Sequence, residues 1–219
     1  MTTTTEGSVR ADRASATREA ILAAAERLFA EHGVFAVSNR QVSEAAGQGN
    51  NAAVGYHFGT KADLVRAIER KHFVPIERLR DAMVAEAANS TDLWDWVACL
   101  VCPLTGHLGE LGNPTFYARF AAQVLADPAY NRYMAKDALT SSSLVQVVDG
   151  INRSLPDMST HVRAERSLMA STLLMHTCAE RERTLASGAP VPRPSWQAAA
   201  SGLIDAIVGI WRAPVTEHP

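Results

Sequence analysis

Apolar residues along the first third of the chain recur at helical spacing. From Ser15 or Thr17 to His32, the residues Ile21, Leu22, Ala25, Leu28 and Phe29 fall three or four apart, which lays one apolar stripe along a helix, and Gly33 is placed to end it. Residues 1–14 are Thr-rich and polar without periodicity and read as a disordered tail, whose Arg10 and Arg13 are ordinary solvated cations or a short basic arm. The next stretch, SNRQVSEAAGQGNNAAVGYHFGTK over residues 38–61, carries its own start and stop signals. Ser38 and Gln41 form a capping box, and Val37 and Val42 occupy the two positions of a hydrophobic staple. Gly47 and Gly49 then interrupt the helix. Asn50 is placed to cap a second helix from Asn51 to about His57, and Thr60 with Asp63 repeats the capping box for a third.

The same periodicity continues to the C-terminus. Leu64, Val65 and Ile68 extend the helix opened by Thr60 as far as Pro75, where a kink or break is expected before it resumes from Ile76 to about Ala88. Helices are predicted from Leu93 to about His107, from Thr115 to Ala126 and from Tyr130 to about Ser154. Two more run from Thr160 or His161 to Ala186 and from Trp196 to Arg212. No segment alternates with a period of two, so the predicted class is all-α: an N-terminal three-helix domain and a larger C-terminal helical domain. The expected boundaries are 1–14 for the tail, 15–59 for the first domain, 60–88 for a connecting helix kinked near Pro75, and 89–219 for the second domain.

Two short helices across a glycine turn make a helix-turn-helix, whose second helix enters a DNA major groove. Asn50 and Asn51 stand out as base readers, because a carboxamide pairs with an adenine edge through both its donor and its acceptor, although an N-cap role accounts for Asn50 equally. Tyr56, His57, Thr60 and Lys61 suit phosphate oxygens. Gly55 inside the reading helix either lets the backbone approach DNA or removes a contact. Arg40 and Ala52 complete the set expected to face DNA.

AILAAAERLFAEHG, the capped helix, AAG and YHFGTKADL, in that order over roughly residues 17–70, resemble the N-terminal DNA-binding domain of the TetR family of bacterial transcriptional regulators. The segment GQGNNAAVGYHF departs from the usual pattern by one extra residue and by Gly55 where an aromatic is frequent. The resemblance implies phosphate contact by Tyr56 and Lys61, a homodimer formed through the last two helices, a double-stranded operator and a ligand pocket in the helical body. On that basis Leu168, Thr172, Met175, Leu203, Ile207, Ile210 and Trp211 are the expected dimerisation residues. Trp96, His107, Phe116, Phe120, Gln123, Met134, Met175 and His176 are the expected ligand contacts, for a small apolar effector.

Composition narrows the picture without carrying it. A chain of 219 residues with 47% hydrophobic content can bury a core, and three cysteines do not build a disulfide framework. The absence of an apolar leader or a long apolar run gives a cytoplasmic expectation with no membrane partner. Net charge is −2, and the first 72 residues hold nine Arg and Lys against eight Asp and Glu, so charge alone would not point to DNA. Cys99, Cys102 and His107 lack the second pair of ligands that a zinc site needs, and no cofactor is expected. No nucleophile, base and orienter come together, which leaves a helical enzyme, or a helical DNA-binding protein without a ligand, as the alternatives to a ligand-responsive repressor.

Overall fold

The computed structural model describes residues 3–50, 52–131 and 140–216. Their helices are α1 (Thr3–His32), α2 (Asn39–Ala45), α3 (Ala53–Phe58), α4 (Lys61–Ala87), α5 (Leu93–Leu111), α6 (Tyr117–Ala126), α7 (Ser142–Arg153), α8 (Thr160–Ala186) and α9 (Trp196–Arg212). The described residues contain no strand. The all-α class is therefore as expected, with a head made from α1, α2, α3 and the start of α4, and a body made from the rest.

The head is organised by local signals. Ser38 Oγ accepts the amide of Gln41 at 3.2 Å while Gln41 Oε1 accepts the amide of Ser38 at 2.8 Å, and Val37 and Val42 are both buried as the staple requires. Gly47 takes φ +68° at the turn, a conformation that costs a residue with a Cβ. Thr60 and Asp63 form the second capping box, with the Asp63 amide donating to Thr60 Oγ1 at 3.1 Å. Ile21, Leu22, Ala25 and Phe29 of α1 meet Val42, Val54, Leu64, Val65 and Ile68 in one buried cluster that continues into the body.

Several expectations are corrected. Of the kink or break expected at Pro75 the break does not occur: α4 runs through it, because the packing of Ile68, His72, Ile76, Arg80 and Val84 along one side compensates the single missing backbone bond. α1 begins at Thr3, since extending an anchored helix needs no new nucleus. α5 runs past His107 to Leu111, and α3 starts at Ala53 rather than Asn51. The helix expected from Tyr130 to Ser154 has a separate start at Ser141, which is extended and accepts the amide of Leu144 at 3.0 Å.

The body is tied together over long sequence distances. α9 packs on α5, α4 on α5, and α6 against both α8 and α1. α6 has no side-chain cap of its own at Phe116. Glu182 of α8 supplies one, accepting the amides of Ala118 at 3.1 Å and Arg119 at 3.0 Å, together with Arg119 Nε at 3.0 Å and Thr115 Oγ1 at 3.2 Å. Arg166 performs the converse service at the end of α9, donating to the carbonyls of Trp211 at 2.8 Å and Ala213 at 2.5 Å. α7 crosses Trp96 at Gly150, where an added Cβ would lie 2.0 Å from the indole, so only glycine allows this approach.

Candidate nucleic-acid interface and internal cavity

α3 buries Ala53 and Val54 against the head and turns Ala52, Gly55 and Tyr56 outward. Tyr56 is 83% exposed, a large amount for an aromatic ring, and its edge meets half-buried His57 at 5.0 Å between centroids. A Cβ at Gly55 would meet nothing within 4 Å, so no contact inside the protein requires this glycine. Phe58 is tucked inward, with the Arg18 guanidinium 4.7 Å above its ring. Arg40 is exposed on α2, its Nε 3.5 Å from Glu44 one turn on. Asn51 lies outside the described residues.

Two residues expected to touch DNA have internal work instead. Asn50 does not cap α3: its Oδ1 accepts the amide of Ala52 at 2.9 Å, shaping the turn before the helix. Lys61 Nζ donates to the carbonyls of Val34 at 3.0 Å and Val37 at 2.6 Å, closing the loop that leads into α2. Burial moves its ammonium below the ordinary lysine value. Thr60 is likewise engaged in its cap, its Oγ1 2.6 Å from Asp63. Sequence reasoning missed Phe35, 81% exposed in that same loop. Its only signal was a bulky residue following Gly33 in an otherwise small, apolar run.

The body holds a partly open cavity of about 400 Å³ between α4, α5, α6, α7 and α8. Phe73, Ile76, Leu100, Leu104, Leu144 and Leu174 supply apolar wall, and Tyr117, Glu69 and Arg80 add polar atoms. Arg80 forms an ion pair with Glu77, whose other oxygen accepts Ser143 Oγ at 2.7 Å and also Ser141 Oγ, so this charge is compensated by a connected network.

Of the described residues expected to contact a ligand, only Met175 lines this cavity. Trp96 is core, its Nε1 donating to the Ser90 carbonyl at 3.1 Å. Phe120 is fully buried against Phe29 of α1, with centroids 6.3 Å apart. His107 bonds His72 in the interior, Phe116 borders a cleft between head and body, and Gln123 faces the Gly33 loop on the surface. His176 is exposed on α8, and Met134 lies outside the described residues. Burial and cavity lining leave the same apolar helical pattern in a sequence, so the pattern alone does not separate them.

The expected dimer face also divides. Leu203, Ile207 and Trp211 are buried within one protomer on the side of α9 that packs on α5. Leu168 at 68% exposure, Thr172 and half-buried Met175 and Ile210 are the outward members. A groove between α8 and α9 places Thr172 and His176 opposite Gly202 and Ala206. Burial pushes the Cys99 thiol up to about 11, and the described residues place no group of three His, Cys, Asp or Glu able to hold a metal ion. No described helix is long and apolar enough to cross a membrane.

A compact tri-helical head with an exposed second helix, set on a hollow helical body, is the architecture of a DNA-binding regulator. Residues 21–68 match the family described as "Bacterial regulatory proteins, tetR family". The solved structure of multidrug binding protein EbrR complexed with imidazole superposes with a TM-score of 0.50 at 21% identity, covering 91% of this chain and 92% of that one. A TetR family transcriptional regulator, PfmR from Thermus thermophilus, gives 0.49 at 15% identity, covering 90% and 96%. Comparison with curated proteins gives no match. The head therefore carries the DNA-binding domain of the tetR family of bacterial regulatory proteins over residues 21–68.

Proposed function

We propose that this regulator is a homodimeric repressor released from a pseudo-palindromic operator by a small, largely apolar effector. The observation that carries this reading is the 400 Å³ cavity, of the size and wall chemistry of a small-molecule site, on the body side of the helices that brace the head. Two copies joined along the outward faces of α8 and α9 present two α3 helices to successive major grooves, with half-sites one helical turn or a multiple apart, about 34–36 Å for a single turn. Tyr56 and the Gly55 backbone form the reading surface, Arg40 on α2 adds a cation, and Asn51 supplies base contact. An effector releases DNA only by binding the released arrangement more tightly, and a near-complete switch needs about 10⁴-fold preference, or about 5.5 kcal/mol.

The test is a gel shift against a duplex selected from random DNA by the wild-type protein, with a panel of apolar compounds added. Expected outcomes are a defined palindromic site and loss of the shift with at least one compound that protects the protein thermally. A selected site without twofold symmetry would remove the dimeric reader, and thermal protection that never alters the shift would remove the effector. Leu168→Asp with Ile210→Asp should give folded monomers by mass; the buried Ile207 and Trp211 are unsuited to that purpose because acids there attack the core.

A further inference from the structure

Three buried side chains connect head and body by a continuous line of hydrogen bonds. Glu26 Oε2 on α1 lies 3.0 Å from His72 Nε2 on α4, and His72 Nδ1 lies 2.8 Å from His107 Nε2 on α5. Their exposures are 6%, 1% and 5%, and Lys71 Nζ reaches the same Glu26 oxygen at 3.3 Å. A carboxylate only accepts, so His72 presents its N–H at Nε2 to Glu26. In the neutral ring Nδ1 is then an acceptor, and His107 supplies the second N–H. The order of protons along the line follows from the carboxylate at its head end.

The line is clamped from the cavity side. The Tyr117 ring stacks on His72 with centroids 4.0 Å apart and 18° between planes, and Tyr117 is also wall of the cavity. Phe120, one turn further along α6, stacks on Phe29 of α1. α6 thus touches α1 through a ring pair and, by way of His72, through a hydrogen bond.

We propose that Glu26, His72 and Tyr117 are positioning residues that convert occupation of the cavity into a new set of the DNA-reading head; this rests on the reading of the cavity as an effector site. An occupant displaces Tyr117, Tyr117 displaces the imidazole stacked on it, and the imidazole carries Glu26. A buried carboxylate does not give up its hydrogen-bond partner cheaply, so α1 follows rather than letting the bond break. α1 is the brace of the reading helices, and its shift changes their spacing in the dimer.

The experiment uses a side chain as occupant. Leu104→Trp places extra volume in the cavity, with Ser171→Trp as the alternative filler should the first not fold, and binding is measured on the duplex selected by the wild-type protein. With the line intact, the filler should weaken DNA binding by about tenfold or more. In the His72→Phe background, which keeps a ring against Tyr117 but removes both hydrogen bonds, the penalty should shrink to less than about threefold. Glu26→Leu, which offers the His72 N–H no acceptor, replaces His72→Phe if that variant does not melt cooperatively. A residue with a merely structural role would lower stability yet leave the ratio of affinities unchanged. Equal penalties in the two backgrounds overturn the positioning role and leave the effector reading standing; folded fillers that never alter DNA binding overturn both.

Discussion

Head and body are held by different kinds of polar contact. In the head the decisive bonds span three residues: Ser38 with Gln41 and Thr60 with Asp63, both exposed. In the body they span tens of residues and are buried, as in Glu182 with the start of α6 or Arg166 with the end of α9. A local cap competes with water and contributes about 1 kcal/mol. A buried carboxylate that has lost its cation or its amides costs several times more, because nothing replaces them. The head is therefore a set of separately specified turns, whereas the body is a set of mutual dependencies.

Glu182→Ala should break that comparison most visibly. It removes the carboxylate paired with buried Arg119 and uncaps α6, and the expected loss is about 3–5 kcal/mol in denaturant unfolding, against about 1 kcal/mol for Ser38→Ala. Similar losses for the two variants would show that the body tolerates an orphaned Arg119 and that the contrast is unfounded.

Next in size is a dependence on pH that belongs to the body. Burial, with His72 second, pushes His107 down to about 4; Glu26 opposes this slightly, while Lys71 adds to it. His72 and Tyr117 face its ring. A depressed value means that the unfolded chain takes up the proton first. The contribution is whole above about pH 6.5 and is lost as pH falls toward 4. Between pH 7 and 5 the wild type should lose about 2 kcal/mol more than His107→Asn, by urea titration at each pH. Glu26, where burial raises the carboxyl but the bond and charge of His72 and Lys71 outweigh it, acts in the same direction in a more acid window, below its ordinary value of 4.5. Parallel curves for wild type and variant would place the imidazole of His107 in contact with water.

The contrast also accounts for what the sequence made legible. Both capping boxes, the Gly47 turn and the limits of α8 and α9 follow from residues near one another in the chain, and each was readable. The roles of Glu182 and Arg166 leave no local mark in the sequence, since their partners lie 45 to 67 residues away. His107 and His176 were both read as polar ligand contacts, yet the first is buried on His72 and the second faces outward. A lone histidine on a mixed helix carries no mark of which side it faces. Lys61 shows another side of this: the family motif suggested phosphate, and nothing in the sequence marks its bonds to two carbonyls of its own head.

The smallest effect tests whether the head's separately specified parts include a functional exception. Gly55 sits inside α3, where glycine costs up to about 1 kcal/mol relative to alanine, and a methyl there meets no atom of the protein. Stability alone would favour alanine, and on the proposed function the glycine serves a close approach of α3 to DNA. Gly55→Ala should raise stability by up to about 1 kcal/mol while weakening binding to the selected duplex about tenfold, because the methyl stands between the α3 backbone and the groove. A variant that is more stable and binds as tightly would take Gly55 off the reading surface and leave Tyr56 as its principal exposed feature.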